Sequence, residues 1–319
     1  MRDDVLPNMD LSGLSKSDWI QRIGDIAELT GYFQPLGDDH FATFVDQGRV
    51  LLVTFEKIDT IRGMTDAAQP LGWPIARREG WSHLLLACDG DTWFRDPQVY
   101  GYFDRLCDDG FFEDFDRVVF YGAGDCGYAA AAFSVAAPGA TVILVNPQAT
   151  LDAEVTGWDT RFVGQRRRNF TDRYGYAPDM IDAAEQAHVY FDPDVMLDAV
   201  HAALFARPNV HLHPWRAGAD LQQALILSGQ LEPILNAAAR GELSRAILGR
   251  IGRSRRDYRP YLKRLVARLE AAGHNDLDRI VCRNVTARMK APGFKKRLKR
   301  LETPPVPAVG DGQSSQTGA

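Results

Sequence analysis

Residues 117–128 read Arg-Val-Val-Phe-Tyr-Gly-Ala-Gly-Asp-Cys-Gly-Tyr, and this stretch sets the predicted architecture. The apolar and aromatic residues 118–121 predict a buried strand. A glycine-rich turn follows them, and the alanine-rich segment 129–137 predicts a helix. A strand that runs through such a turn into a helix is typical of parallel α/β sheets, which carry functional groups at the carboxyl ends of their strands.

The turn resembles a nucleophile elbow, the Gly-x-Ser-x-Gly turn that projects a catalytic serine between a strand and a helix. The residues two before and two after the nucleophile must be small, because strand and helix crowd there. Gly122 and Cys126 are the small flanking residues in this chain, so the nucleophile position falls on Gly124. Because glycine has no side chain, the segment predicts the fold without its usual nucleophile.

The residues around this turn resemble the α/β-hydrolase superfamily. The resemblance is to a bacterial branch that reads Tyr-Gly-Ser-Ser-Met-Gly-Gly-Tyr-Ala-Ala, followed by a strand ending in Pro-Gln. Here residues 121–130 read Tyr-Gly-Ala-Gly-Asp-Cys-Gly-Tyr-Ala-Ala, and residues 146–148 read Asn-Pro-Gln. The resemblance implies an α/β fold of the hydrolase type, with a mostly parallel sheet covered by helices on both faces.

The resemblance also implies where the rest of a catalytic triad would stand. An acid is expected after a later strand, and Asp192 matches that position. The last loop of the branch carries Gly-His, and this chain has Gly218 followed by Ala219. Gly124, Asp192 and Ala219 would then be the degenerate triad positions, which predicts a pseudoenzyme that serves as a binding or scaffold protein.

Short apolar strands alternate with amphipathic helices up to residue 213, as expected for a covered parallel sheet. We expect the first two strands to flank a turn at residues 46–48, Ser17 to cap the first helix, and Asp96 with Pro97 to begin another. The predicted strands are residues 41–45, 50–55, 81–88, 118–121, 141–146, 188–191 and 210–213, with a further helix at 195–206.

Charge is distributed unevenly along the chain. Residues 240–300 hold 19 Lys and Arg against 5 Asp and Glu, whereas the remaining residues hold 18 against 37. This asymmetry predicts a basic module on an acidic body. We divide the chain into an N-terminal helical lead-in (1–39), an α/β-hydrolase-like domain (40–235), a basic helical extension (236–302) and a disordered tail (303–319).

The basic residues are candidates for binding an anionic partner, either nucleic acid, a glycan or an acidic protein. The alternative is a basic extension that docks on the acidic body and is partly self-neutralised. The candidate anion-binding residues are Arg166, Arg167, Arg168, Arg253, Arg255 and Arg256.

An active enzyme of altered mechanism is the main alternative to a pseudoenzyme. Cys126 could replace the serine as nucleophile on acyl substrates, with His213 as base and Asp192 as orienting acid. If Cys126 were central, however, Tyr128 would stand two residues later and would be too bulky for the turn. Asp192 also has a second interpretation, because Asp-Pro after a strand commonly opens a turn.

The whole chain is also similar to a bacterial family often labelled phosphoadenosine phosphosulfate reductase. That reductase needs a Ser-Gly-Gly-x-Asp-Ser loop and a catalytic cysteine in a Glu-Cys-Gly-type motif, and this sequence has neither. The motifs that carry the similarity are Gly-Trp-Ser-His (80–83), Trp-Phe-Arg-Asp-Pro (93–97), Gly-Phe-Phe-Glu-Asp-Phe-Asp (110–116) and Arg-Tyr-Gly-Tyr-Ala-Pro-Asp-Met (173–180).

Neither a cofactor nor a metal is expected. Glycines 122, 124 and 127 match Gly-x-Gly-x-x-Gly, but the acid that would bind a ribose at the end of the next strand is missing. His211 and His213 share one side of a predicted strand without a tight cluster of further ligands.

The sequence also indicates a cytoplasmic protein. No apolar run approaches the roughly 20 residues that cross a bilayer, and the first residues lack the apolar segment of a secretory signal. The four cysteines are too far apart for a zinc or redox motif, which favours a reducing compartment.

Overall fold

The computed structural model describes residues 9–64, 66–217 and 220–303. The chain divides into two compact units, Met1–Arg255 and Arg256–Ala319. The first unit contains a β-sheet with its helices, and the second is helical over the residues described.

The first unit is built on one eight-stranded sheet in the order β1-β2-β4-β3-β5-β6-β7-β8. Strand β2 runs antiparallel to both of its neighbours, and all the remaining pairs are parallel. This mostly parallel sheet is α/β-hydrolase-like, as predicted. The strands are β1 Gly31–Pro35, β2 His40–Val45, β3 Val50–Lys57, β4 Ser82–Cys88, β5 Arg117–Ala123, β6 Thr141–Val145, β7 Gln186–Phe191 and β8 Val210–Pro214.

Helices cover the centre of this sheet. Every residue of β4 and of β6 is buried, which requires cover on both faces because successive side chains point to opposite sides. The helices of the first unit are α1 Lys16–Ala27, α2 Ile58–Met64, α3 Gly72–Glu79, α4 Pro97–Asp108, α5 Asp125–Phe133, α6 Ala153–Thr156, α7 Ala177–Met180, α8 Met196–Leu204, α9 Leu221–Leu227, α10 Leu231–Ala239 and α11 Arg245–Ile251.

Over its described residues, 256–303, the second unit contains three α-helices, α12 Arg259–Ala271, α13 Asn275–Arg288 and α14 Pro292–Glu302. They enclose a small core of their own. Cys282 is fully buried there, on the apolar face of its helix. Its buried neighbours in this core are Leu262, Val266, Val285 and Phe294.

The strands predicted on either side of the turn at residues 46–48 form, but they do not pair with each other. Strand β4 lies between β2 and β3. The Ser82 hydroxyl at the start of β4 accepts hydrogen bonds from the backbone N–H groups of Gln47 (3.0 Å) and Gly48 (3.1 Å) and lies 2.8 Å from the carbonyl oxygen of Gly48. The turn is therefore held by an inserted strand that comes from more than 30 residues later in the chain.

Strand β1 was not predicted, and it extends the sheet ahead of residue 40. Its sequence, Gly-Tyr-Phe-Gln-Pro, lacks the apolar alternation of a half-buried strand. It forms the edge of the sheet, where a proline can be tolerated. A side chain at Gly31 would place its Cβ only 2.0 Å from the carbonyl oxygen of Phe44.

Two helix starts differ from the predictions. Ser15, not Ser17, caps α1, because the Ser15 hydroxyl accepts from the backbone N–H of Asp18 at 3.1 Å. Helix α5 begins at Asp125, four residues before the predicted start, because Gly124 is its cap. Asp96 caps α4 as predicted, and its carboxylate accepts from the backbone N–H of Gln98 at 2.8 Å.

The crossing of β5 and α5 leaves no room for a side chain at Gly122. A Cβ atom there would lie 2.1 Å from the carbonyl oxygen of Cys126. A Cβ at Gly127 would come within 3.3 Å of Pro147, which follows β6. The predicted crowding of strand and helix is thus present at the flanking glycine.

We expect Gly122→Ala to lower the free energy of unfolding by about 3 kcal/mol or more, because backbone atoms would have to move apart. Thermal unfolding followed by circular dichroism measures this change. The matched control is Gly101→Ala on the exposed side of α4, where a Cβ meets nothing within 4 Å. That control should be neutral or stabilising by up to about 1 kcal/mol. Equal melting temperatures for Gly122→Ala and wild type would contradict the tight crossing.

Candidate functional site at the strand-to-helix elbow

Gly124 stands at the point where the elbow would present a nucleophile. Its backbone has φ 61° and ψ −127°, a left-handed conformation that L side chains rarely adopt. Its N–H donates to the carbonyl oxygen of Val145 (2.8 Å), which ties the turn to β6. A Cβ built on Gly124 meets no atom within 4 Å. The turn has room for a side chain, and this chain does not supply one.

An ion network closes over the ends of three neighbouring strands beside this turn. Lys57 is the last residue of β3, Asp91 follows β4, and Asp125 is the first residue of α5. The Lys57 ammonium lies 2.6 Å from the Asp91 carboxylate and 2.8 Å from that of Asp125. One cation therefore joins two carboxylates across β3, β4 and β5.

Burial and charge act in opposite directions on this network. Burial lowers the pKa of Lys57, but the carboxylates of Asp125 and Asp91 outweigh it and raise the pKa above its ordinary value. Burial raises the pKa of Asp125, and the ammonium of Lys57 partly offsets that effect. Lys57 is consequently held as a protonated cation, which excludes it as a free amine nucleophile.

A small cavity of about 100 Å³ lies next to the network. Ligand pockets for drug-sized molecules are typically about 300–1,000 Å³, so this space suits a few waters or a very small group. Its polar lining consists of Glu56, Lys57, Thr60, Gln69, Asp125 and Gln222, and its other lining residues are Phe55, Ile61, Met64, Leu71, Ala123 and Cys126.

Glu56 is a buried carboxyl group in this lining. Its Oε2 accepts from the backbone N–H of Leu71 (3.0 Å), and its Oε1 accepts from the hydroxyl of Thr54 (2.8 Å). Burial raises the pKa of Glu56 to about 7. Glu56 can therefore exchange a proton near neutral pH, a property that sequence reasoning did not reveal.

Cys126 lies in an environment that disfavours a thiolate. Its side chain is buried at 5% exposure, next to the thiol of Cys88. The hydrogen bond with Cys88 and burial raise the pKa of Cys126 well above its ordinary value. Reactive cysteines instead have lowered pKa values and exposed sulfur atoms. The residue occupies the small flanking position that the crowded crossing demands.

His213 points into a different cavity. Its Nε2 lies 2.9 Å from Nδ1 of His188, and its ring stacks on Tyr190 with 4.6 Å between centroids. Burial lowers the pKa of His213 to about 4, so the imidazole is neutral. The cavity has a volume of about 580 Å³ and is lined by β7, β8, α10 and α11, and its lining contains neither Cys126 nor Asp192.

Of the expected triad, the acid position is described in the structure and the base position is not. Asp192 directly follows β7 and is buried at 2% exposure. Its Oδ1 accepts from the backbone N–H of Asp194 at 2.9 Å, the hydrogen bond of a turn-opening aspartate. Ala219 lies outside the described residues together with Gly218.

A buried pair of His201 and Asp159 has the residue types of a catalytic dyad but is fully engaged in structure. Nε2 of His201 lies 3.0 Å from the carboxylate of Asp159, and Nδ1 accepts from the backbone N–H of Ala149 at 3.1 Å. Arg161 binds the same carboxylate at 2.7 Å. Both ring nitrogens are occupied and both side chains are fully buried, so this pair fastens the loop after β6.

The candidate anion-binding arginines have different surroundings in the structure. Arg166 donates to the backbone carbonyl oxygens of Thr156 (2.6 Å) and Asp159 (2.7 Å), so it holds a loop. Arg255 lines the 580 Å³ cavity. The remaining side chains are exposed at Arg167, Arg253 and Arg256 and half-buried at Arg168.

Sequence reasoning missed Lys57, Asp91 and Gln222. Lys57 and Asp91 both stand just past apolar strands, which is where the carboxyl ends of parallel strands collect functional groups. Their position directly after predicted apolar strands is the feature of the sequence that could have identified Lys57 and Asp91. Gln222, whose amide donates to the hydroxyl of Tyr121 at 2.9 Å, comes from a helix with no local cue.

Membrane-spanning helices and metal-binding clusters are both absent among residues 9–64, 66–217 and 220–303. In this part of the chain no helix combines the length and the apolar character needed to cross a bilayer. Nor do these residues bring three or more His, Cys, Asp or Glu side chains together as a metal site.

Solved structures of other proteins show a distant structural likeness to this chain. A variant of the capsule O-acetyltransferase of Neisseria meningitidis serogroup A, in complex with CoA, is 12% identical over 66% of this chain and 94% of that chain, with a TM-score of 0.45. Carboxyl esterase 2 from the mycorrhizal fungus Tuber melanosporum is 14% identical over 67% and 85% of the two chains, with a TM-score of 0.43.

A third match covers less than half of the other protein's chain. The Glycosylation Associate Protein (Gap123) complex from Streptococcus agalactiae is 14% identical over 58% of this chain, with a TM-score of 0.41, and this chain spans only 41% of that chain. No protein-family model and no curated protein matches the sequence. The fold assignment rests on the strand order and on the elbow geometry.

Glu56 should make stability depend on pH. Its pKa rises from an ordinary 4.5 to about 7 on folding. Between these two pKa values the folded state holds a proton that the unfolded state releases. The free energy of unfolding therefore falls by up to about 3 kcal/mol as the pH rises from about 4.5 to about 7. Glu56→Gln should remove most of this decrease. Denaturant titrations of both proteins at a series of pH values measure it, and parallel pH profiles would contradict the assignment.

Thiol labelling distinguishes buried from accessible cysteines. Cys107 is exposed, whereas Cys88, Cys126 and Cys282 are buried. We expect iodoacetamide to modify only Cys107 in the folded protein, as read by intact mass, and all four cysteines after unfolding. Cys107→Ser should then abolish labelling of the folded protein. Rapid modification of Cys126 would instead favour a reactive thiol at the elbow.

Proposed function

We propose that this chain is a catalytically degenerate α/β-hydrolase-fold protein that acts as a cytosolic binding or scaffold protein. The observation that carries the proposal is Gly124. It adopts the strained backbone of an elbow, with open space for a side chain, and offers no nucleophilic atom. The strained turn is kept although the group that it usually presents is missing.

The charge at the next position also argues against acyl transfer. In an elbow, the backbone N–H of the residue after the nucleophile forms part of the oxyanion hole. Here that residue is Asp125, whose carboxylate has a side-chain exposure of only 11%. A fixed negative charge near this N–H disfavours a developing oxyanion, and Lys57 is already shared between two carboxylates.

The same groups favour a structural role for the elbow. Lys57 links three strand ends, and the hydrogen bonds of Glu56 link β3 to the segment before α3. In the less exposed of the two ion pairs, Lys57 with Asp125, removal of one partner is costly because a largely buried charge is left behind. A crevice whose cavity has a volume of only about 100 Å³ favours binding on the outer surface over enclosing a substrate.

Hydrolysis assays test the proposal directly. We expect p-nitrophenyl acetate and acetyl-CoA to be hydrolysed no faster with the wild-type protein than in buffer. Gly124→Ser, which places a hydroxyl in open space, should remain inactive because the expected base position is Ala219. A saturable turnover by the wild type that Cys126→Ala or Asp192→Asn abolishes would overturn the proposal. Melting curves confirm that each variant is folded.

A further inference from the structure

The C-terminal unit carries more positive charge than its own acids neutralise. Residues 256–303 contain 14 Lys and Arg and 5 Asp and Glu. Each acid is paired within the unit, and the partners are arginines. The pairs are Asp257 with Arg288, Glu270 with Arg297 and Arg300, Asp276 with Arg279, Asp278 with Arg297, and Glu302 with Arg283.

Some of these ion pairs lie in the interior of the unit. The guanidinium of Arg297 lies 2.5 Å from the carboxylate of Asp278, which is buried at 1% exposure, and 2.9 Å from that of Glu270. The hydrogen bonds to Asp278 raise the pKa of Arg297 further. The five acids among residues 256–303 are thus already paired with arginines of the same unit.

Six of the nine remaining cations lie on the outer faces of two helices. On α12, Leu262 and Val266 are buried, and the cations follow the opposite side of the helix. On α14, Phe294 is the buried residue and the same arrangement recurs. These six exposed cations, which form no ion pair among residues 256–303, are Lys263, Arg264 and Arg268 on α12 and Lys295, Lys296 and Lys299 on α14; the other three are Arg256, Arg259 and Lys290.

We propose that this unit binds duplex nucleic acid through the phosphate backbone, without reading base sequence. Lysine and arginine side chains that neutralise phosphates release condensed counterions, and this supplies most of the affinity of sequence-independent binding. Arg264 and Arg268, like Lys295 and Lys299, are four residues apart and so project from successive turns of one face. Such rows suit a repeating line of phosphates.

The residues between the cations exclude other classes of partner. Besides Lys263, Arg264 and Arg268, the exposed residues of α12 are Arg259, Pro260, Ala267, Glu270 and Ala271, so this helix has no large apolar side chain to insert into a membrane. Its exposed residues include no aromatic anchor of the kind that dominates protein interfaces. The exposed apolar pair Leu277 and Ile280 belongs to α13, outside the two cationic faces.

The aromatic residues distinguish duplex from single strand. Binding of single strands relies on aromatic side chains that stack on unpaired bases. The aromatic residues of this unit are Tyr258, Tyr261 and Phe294, and none of them is exposed. Phe294 lies in the core of the three helices. The surface of α12 and α14 therefore provides cations for the phosphate backbone but no exposed aromatic side chain on which a base could stack.

Fluorescence anisotropy of a labelled DNA duplex of arbitrary sequence tests the proposal with the full chain. We expect dissociation constants of about 1–100 μM, with affinity falling steeply between about 50 and 200 mM salt. Lys295→Gln, Lys296→Gln and Lys299→Gln combined should weaken binding about tenfold or more and reduce the salt slope by about 2–3. The matched control replaces the same three lysines with arginine and should keep both affinity and slope.

Four outcomes would overturn the proposal. The first is that the duplex shows no salt-dependent binding, and the second is that the triple glutamine variant keeps the wild-type salt slope. The third is tighter binding to a single strand of the same length. The fourth is binding to phosphatidylserine vesicles or to polyglutamate that is as tight as or tighter than binding to the duplex. Because the substituted lysines are exposed, all variants should retain the wild-type melting temperature. If the triple glutamine variant has a lower melting temperature, the double variant Arg264→Gln with Arg268→Gln on α12 is measured instead. We expect this variant also to bind the DNA duplex more weakly than the wild type.

Discussion

The close approach of β5 and α5 at Gly122 is the contact on which the rest of the site depends. A Cβ there would lie 2.1 Å from the carbonyl oxygen of Cys126, so the strand and the first turn of the helix touch through their backbones. This crossing forces the sharp turn at Gly124 and directs Asp125 toward the ends of the neighbouring strands. From there its carboxylate reaches Lys57 on β3 at 2.8 Å. Crowding in the backbone thereby determines where the charges meet.

The charges at the strand ends then decide what kind of site the crevice is. A hydrolase-type crevice needs a nucleophile, donors for an oxyanion and space for a substrate. This one has a glycine, a carboxylate beside the oxyanion position and a cavity of about 100 Å³. Each ionisable group has a partner or is buried, including Glu56 with its pKa of about 7. These residues link the ends of neighbouring strands through ion pairs and hydrogen bonds.

Some elements were predictable because their signals are local. The elbow, the buried run of β4 and the cap of α4 by Asp96 each follow from a few adjacent residues. The edge strand β1 was not predictable, since its composition lacks apolar alternation. The partners of His213 could not be inferred either. Alternation along β8 places His211 and His213 on one side, but the neighbouring strand that supplies His188 and Tyr190 is set by sheet order.

The residue types in this chain were enough to establish a strand, a glycine turn and a helix without a nucleophile, because those features depend on backbone freedom and side-chain size at neighbouring positions. They were also enough to reveal a basic C-terminal segment, because charge is counted directly. The order of the strands, the joining of Lys57 to Asp91 and Asp125, and the burial of Cys126 came only from tertiary structure. These depend on contacts between segments far apart in the chain, and local periodicity carries no information about such pairings.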